Sequence, residues 1–315
     1  MRLLVCTLVA TATVAVGAQS GSSNGRPLPE LQPFLQQVRA RLQPDDQRQV
    51  GYAFTYTERK VKYDSNGKAG AAAVKVTESY PGFAPGEPRW DRVLEEDGHR
   101  VPEETLQKKD EERRKEAEAF ARKLKDPAEV ARLRREREQG HREARARIDD
   151  VFRVYDIAML GRESLDGHDS IVVSLTPRPN ASPSTREGGW MKAFKGKAWL
   201  SESDHELMRL DVEAIDTVSI GLGLIARMNK GTTASFSRRK VDGETWLPAR
   251  AEYRYNVRVL LLKAMREGGT VDFSNYRRFS VDTTTAIGAP APAAGTPSVF
   301  QRGPDAPSIA RPRGP

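Results

Sequence analysis

The sequence predicts an α+β fold: one curved antiparallel sheet covered by an N-terminal helix and carrying an inserted charged helical hairpin. Three observations predict it. Asn66-Gly67, Asp97-Gly98, Asp166-Gly167 and Asp242-Gly243 each sit between stretches of alternating apolar and polar residues, and such pairs tolerate the positive φ that a tight hairpin turn demands. Gly268-Gly269 offers a fifth turn and Ser201–Glu206 a looser sixth. The run Leu207–Glu213 sets Met208, Leu210 and Val212 against Arg209, Asp211 and Glu213, and Ala251–Leu261 alternates in the same way. Such strands bury one face and wet the other.

From the start, Arg2 followed by the apolar run Leu3–Val16 and the small residues Gly17-Ala18 reads as a signal peptide, residues 1–18, cleaved after Ala18; an uncleaved anchor is the alternative. The single cysteine, Cys6, lies in that run, so a mature chain has no disulfide and depends on its hydrophobic core. Residues 19–28 form a Ser/Gly/Asn linker. Over Pro29–Gln49, Leu31, Phe34, Leu35, Val38 and Leu42 recur at helical spacing, and Pro44 breaks the pattern. Tyr52–Glu96 holds three strands.

Residues 103–149 are a helical excursion, with fifteen Lys/Arg and twelve Asp/Glu between Glu103 and Arg147. Asp126-Pro127 with Glu129 is a helix start, dividing the excursion into helices over Glu104–Lys125 and Pro127–Ile148. It reads either as a solvated insertion along the sheet edge, held by charge pairs four residues apart, or as an arm for an envelope protein partner or an anionic membrane. Strands resume over Val151–Asp282. Residues 286–315, with seven prolines, cannot bury enough apolar surface to order and form a disordered tail. The β domain thus occupies 29–285.

The net charge of +8 comes from 51 basic and 43 acidic residues, a mixed surface with a positive bias suited to anionic headgroups. No nucleic-acid module is recognisable. Catalytic readings fail individually. His99, His141, His168 and His205 lack metal-ligand spacing, and Gly21-Ser22-Ser23-Asn24-Gly25 matches GxSxG only within the linker. Ser65-Asn66-Gly67-Lys68 matches SxxK only across a hairpin turn, and Asp149-Asp150, read as strand neighbours, face opposite ways. Neither an enzyme nor a metal or other cofactor is expected. Gly221-x-Gly223 in the apolar stretch Thr217–Asn229 has no βαβ context for a nucleotide loop; the stretch is a core element or a mobile lid.

The Gly196-Lys197-Ala198-Trp199-Leu200…Leu207-Met208-Arg209-Leu210 strand pair and the Tyr276–Val281 strand, in an exported chain with an N-terminal amphipathic helix, resemble the LolA/LolB-like superfamily of periplasmic lipoprotein-localisation proteins over roughly Pro29–Asp282. The excursion and the tail depart from that pattern. The resemblance implies a half-barrel that shelters lipoprotein acyl chains or related lipids, in a periplasmic or secreted protein. The expected ligand is therefore a lipid or lipoprotein acyl chain. Its expected lining is Trp90, Phe194, Trp199, Met208, Leu210, Tyr253, Tyr255 and Val257, with Ile220, Leu222 and Leu224 across the mouth. The same fold with a filled core would instead be a non-catalytic interaction module of the envelope.

Overall fold

The structure, a computed structural model, describes residues 26–83, 89–220, 226–259 and 263–278. Residues 1–18, expected as a signal, most of the linker stretch and the proline-rich tail therefore lie outside the described residues, as do Leu222 and Leu224. A single antiparallel sheet of 13 strands dominates. Ahead of it stand α1 (Leu31–Arg41) and α2 (Asp45–Arg48), separated where Pro44 interrupts the helical periodicity.

The chain first walks outward through β1 (Tyr52–Tyr63), β2 (Ala69–Tyr80), β3 (Trp90–Glu96) and the short β4 (His99–Arg100). It then runs through α3 (Glu103–Lys123) and α4 (Pro127–Val154) and enters β5 (Tyr155–Leu165). From there it returns through β6 (His168–Pro177), α5 (Arg186–Met191), β7 (Phe194–Ser201) and β8 (Leu207–Ala214). After β9 (Val218–Ile220), β10 (Ala226–Met228), β11 (Thr233–Val241) and β12 (Thr245–Val259), it ends in β13 (Lys263–Arg278). The sheet order is β4-β3-β2-β1-β13-β12-β11-β8-β7-β6-β5. The last strand therefore pairs with the first, in register from Tyr52↔Arg278 to Tyr63↔Arg266. β4 and β5, consecutive in sequence, lie at opposite edges.

The charged helices are thus the connection between the two edges. Asp126 caps α4 through Ala128 N at 2.8 Å, with Pro127 in the first turn, as the Asp-Pro pair predicts. Each helix is fastened to the rest of the fold by its own contacts. On α3, Asp110 forms a two-pronged ion pair with the buried Arg92 (2.9 and 3.1 Å), and Leu106 and Ala117 are buried. On α4, Asp149 meets Arg39 of α1 at 2.8 Å, Arg145 donates to the Arg39 carbonyl, and Ala144 and Val154 are buried. α4 also continues to Val154, so the strand expected from Val151 begins only at Tyr155: Ile148, Val151 and Val154 extend the helical spacing.

Three Asp-Gly pairs behave as expected: Asp97-Gly98, Asp166-Gly167 and Asp242-Gly243 have positive φ at both residues. In the Asn66-Gly67 turn only Gly67 does. There the Asp64 carboxylate accepts from Asn66 N and Lys68 N, holding a wider loop. Gly268-Gly269 is not a turn. It lies inside β13, paired with Arg254 and Tyr253. The absent side chains make room for aromatic rings on both faces. A Cβ on Gly269 would come within 2.6 Å of the Tyr253 ring, and one on Gly268 within 3.3 Å of Tyr63. Thr217–Asn229 contributes β9 and β10, which pair with each other, β10 also adding to β12; residues 221–225 between them lie outside the described set. At the far edge, the β5–β6 register shifts between Met159 and Gly161, a bulge at Leu160.

The core sits at one end of the sheet. Phe34, Leu35 and Val38 of α1 pack on Val154, Tyr155, Ile171, Val173, Leu175, Ala198 and Leu200.

Two outcomes test this architecture. Replacing Glu103–Asp149 by a short linker removes Leu106, Ala117, Ala144 and the Arg92 and Arg39 partners, and is expected to abolish soluble folded protein, as read by expression and circular dichroism. Gly269→Ala forces Tyr253 aside and is expected to cost about 1–3 kcal/mol in denaturant unfolding, the range for overpacking.

Candidate functional site: the open half of the apolar face

Strand register assigns the faces, because directly paired residues share one. Val271, Ala251, Phe236, Leu210, Ala198 and Val173 form one continuous row from β13 to β6. Beside it runs a second row: Gly269, Tyr253, Ala234, Val212, Gly196 and Leu175. Val173, Leu175 and Ala198 belong to the core under α1, so both rows lie on the helix-covered face. Farther along the same face, Val257 pairs with Met265 and Met228, and Tyr255 with Glu267.

Cover is uneven. α1 buries the β5–β7 end, and Leu210 packs at its margin. Toward β13, Phe236, Tyr253, Tyr255, Val257 and Met265 are only half-buried, and Ala234, between Val212 and Tyr253, is exposed. The result is an apolar trough with a floor of small residues, walled on one side by the α1 core and on the other by two tyrosines. Those rings stack at 5.6 Å and 10°. Both hydroxyls donate to Glu267 Oε1, Tyr255 at 2.9 Å and Tyr253 at 3.3 Å. Burial first, then the Glu267 carboxylate, pushes both phenols up to about 12.

Of the expected lining residues, the structure brings Phe194, Leu210, Tyr253, Tyr255 and Val257 onto this one face. Phe194 opens β7, half-buried and paired with Ala214. Met208 is fully buried in β8, beside the register shift at Trp199/Leu200 and outside the core cluster under α1. Trp199 pairs with Arg209 and Val172, which places it on the opposite face. Its indole Nε1 donates to Glu163 at 2.7 Å, and the Arg209 guanidinium lies over the ring at 5.0 Å. Trp90 is near the other edge, packed on Tyr80 at 5.3 Å on the side where α3 docks through Arg92. Ile220 ends β9 opposite Ala226, and its side chain is outside the described residues.

The opposite face carries a depression of about 590 Å³. Ser174, Lys197, Asp211, Ser235 and Glu252 line it as one cross-strand row. Ion pairs Lys195–Glu213 (3.3 Å) and Arg209–Asp211 (2.8 Å) occupy its charges.

The dismissed carboxylate pair has a structural answer. Asp149 and Asp150 are helical, and Asp150 is wholly buried. It accepts from the backbone N and hydroxyl of both Ser184 and Thr185 at 2.7–3.0 Å, and from Arg153 at 2.7 Å. Burial alone would raise its pKa, but these donors outweigh it and hold the carboxyl at about 2. Asp150 thereby ties α4 to the N-terminus of α5, a helix that composition did not predict. His168 packs on Trp246 and His205 on Phe34. Among the described residues no group of three His, Cys, Asp or Glu could hold a metal ion. No described helix is long and apolar enough to cross a membrane.

No protein-family model matches the chain, and no curated protein matches it. Among solved structures it is similar to a putative outer membrane lipoprotein-sorting protein domain from Vibrio parahaemolyticus, at 9% identity and a TM-score of 0.31, covering 81% of this chain and 93% of that one. It is also similar to a LolA superfamily protein from Nitrosomonas europaea (11%, TM-score 0.28, covering 80% and 94%). A third is a DUF1329 family protein from Desulfovibrio piger (12%, TM-score 0.27, covering 81% and 95%). Superpositions this loose decide nothing about function, and the half-barrel description stands on the strand order of this chain.

Asp150 yields a pH prediction. A folded pKa below the unfolded 3.8 means stability that is present above about pH 4 and lost as pH falls toward 2, roughly 2 kcal/mol in all. Unfolding free energies measured from pH 6 to pH 2 are expected to fall further in the wild type than in Asp150→Asn, the difference being about that amount.

Proposed function

We propose that this protein is an exported envelope carrier or sensor that shelters the acyl chain of a lipid or lipoprotein on the open half of its apolar face. The observation that carries this reading is the pair of apolar rows continuing from the α1 core past Leu210 and Val212 to Tyr253 and Val271, with exposed Ala234 in the floor. From β8 to β13 that floor spans three strand spacings, roughly 14 Å. About ten methylenes fit such a length, and each gains about 0.8 kcal/mol on leaving water, before the entropic cost of association. Binding of that kind needs shape and apolar surface but no catalytic group, which suits a non-enzymatic role. Export to the periplasm or outside the cell rests on the signal-like Met1–Ala18.

A second reading has its own observation. Leu124 and Val130, 44% and 36% exposed, flank the junction of α3 and α4 and favour an arm for an envelope protein partner.

Ala234→Trp separates the two. The position is exposed, so the indole fills the trough without overpacking a core. Fluorescence titration with an acyl probe is expected to give saturable binding to the wild type and at least about tenfold weaker binding to the variant, an increment of 1.4 kcal/mol, with an unchanged melting temperature. Absence of saturable binding to the wild type would leave the interaction-module reading.

A further inference from the structure

We propose that Glu267 is a recognition site for a primary ammonium group, so that the preferred ligand is an amphiphile carrying an amine beside its apolar chain. This inference rests on the acyl-sheltering reading above. Glu267 is 8% exposed, and its carboxylate has no cation within 4 Å among the described residues. Lys62, its partner across the β1–β13 ladder, forms no ion pair with it. Lys60, on the same face, is held by Glu58 at 2.8 Å. The two phenols both donate to Oε1; among the described residues Oε2 has no hydrogen bond, and it is not a fully buried atom, so it can be reached from outside.

A carboxylate this little exposed, with no cation in contact with it, gains from a charged partner. Two neutral phenols orient it but do not neutralise it. An ammonium supplies both missing components, a positive charge and a donor for Oε2, and charge-assisted hydrogen bonds are the strong ones. The stacked Tyr253 and Tyr255 rings beside the carboxylate add π-faces that attract a cation. Val257 and Met265, the next cross-strand pair on the same face, receive the carbons attached to it. The geometry therefore joins a cation seat to the end of the apolar trough. A free carboxylate or phosphate on the ligand would instead be repelled by Glu267.

Two sources present this chemistry: the amine of a lipid headgroup and a lysine side chain on a lipidated peptide. The test uses the full-length chain and competition against a fluorescent acyl probe. Dodecylammonium is expected to compete at least about tenfold better than dodecanol, the effect of a charge-assisted hydrogen bond in a half-buried site. Glu267→Gln is expected to erase that preference while leaving dodecanol unchanged. If Glu267→Gln does not fold, Glu267→Asp keeps the charge but withdraws it from the seat, and the preference is expected to fall several-fold. Dodecanol binding with no preference for the amine, or a preference untouched in both variants, overturns this inference alone. Failure of dodecanol to bind the wild type overturns the acyl-sheltering reading and this inference with it. Lysophosphatidylethanolamine against its N-acetylated form, and a palmitoylated lysine peptide against its acetyl-lysine form, then distinguish the sources.

Discussion

The pairing of β13 with β1 is the constraint on which the rest of the structure depends. Along this ladder the two ends of the chain meet, from Tyr52↔Arg278 to Tyr63↔Arg266. Without it the sheet separates into β1–β4 and β5–β13, joined through α3 and α4. The glycine pair belongs to this ladder. Side chains at Gly268 and Gly269 would collide with Tyr63 on one face and Tyr253 on the other, so the seam closes because two residues there have none. Tyr253 is one of the rings that hold Glu267, and the same seam therefore builds the polar end of the trough.

α1 has eleven residues, about 16 Å at 1.5 Å per residue, too short to roof a sheet this wide. It covers β5–β7 and stops near Leu210. The uncovered half is therefore a consequence of helix length and sheet width. What lies on it follows from alternation: small residues at Ala251, Ala234 and Gly196, larger ones at Phe236, Val212 and Tyr253. The opposite face is satisfied internally by ion pairs such as Arg209–Asp211 and Lys195–Glu213, which leaves the apolar side as the surface with unmet demand.

Much of this was legible from residues alone. The Asp-Gly turns, the alternation of Ala251–Val257, the apolar stripe Phe34–Leu35–Val38 and the Asp126-Pro127 start all act through local geometry. Other features depend on partners distant in sequence. A double glycine signals a turn locally, and only Tyr63 and Tyr253 explain it as strand. Alternation in Lys197–Leu200 does not itself say which set faces inward; the packing of Ala198 and Leu200 under α1 sends Trp199 to the charged side. Asp150 looked like half of an acidic pair on a strand. Its role needs Ser184 and Thr185, thirty-four and thirty-five positions away, and a helix that runs six residues beyond Ile148. Glu267 carried no local signal: one glutamate in an alternating strand is unremarkable until two phenols are found on it.

The bulge at Leu160 bears on the open edge of the sheet. An open sheet, unlike a closed barrel, ends in strands with unpaired backbone groups, and a long one invites edge-to-edge polymerisation. β4 is only two residues long and offers little to copy. β5 has eleven residues and would be a good template were it regular. The shift between Met159 and Gly161 breaks its hydrogen-bonding rhythm in the middle, so an incoming strand cannot stay in step along its whole length. The sheet that leaves part of its apolar face uncovered thus presents an irregular edge to its neighbours.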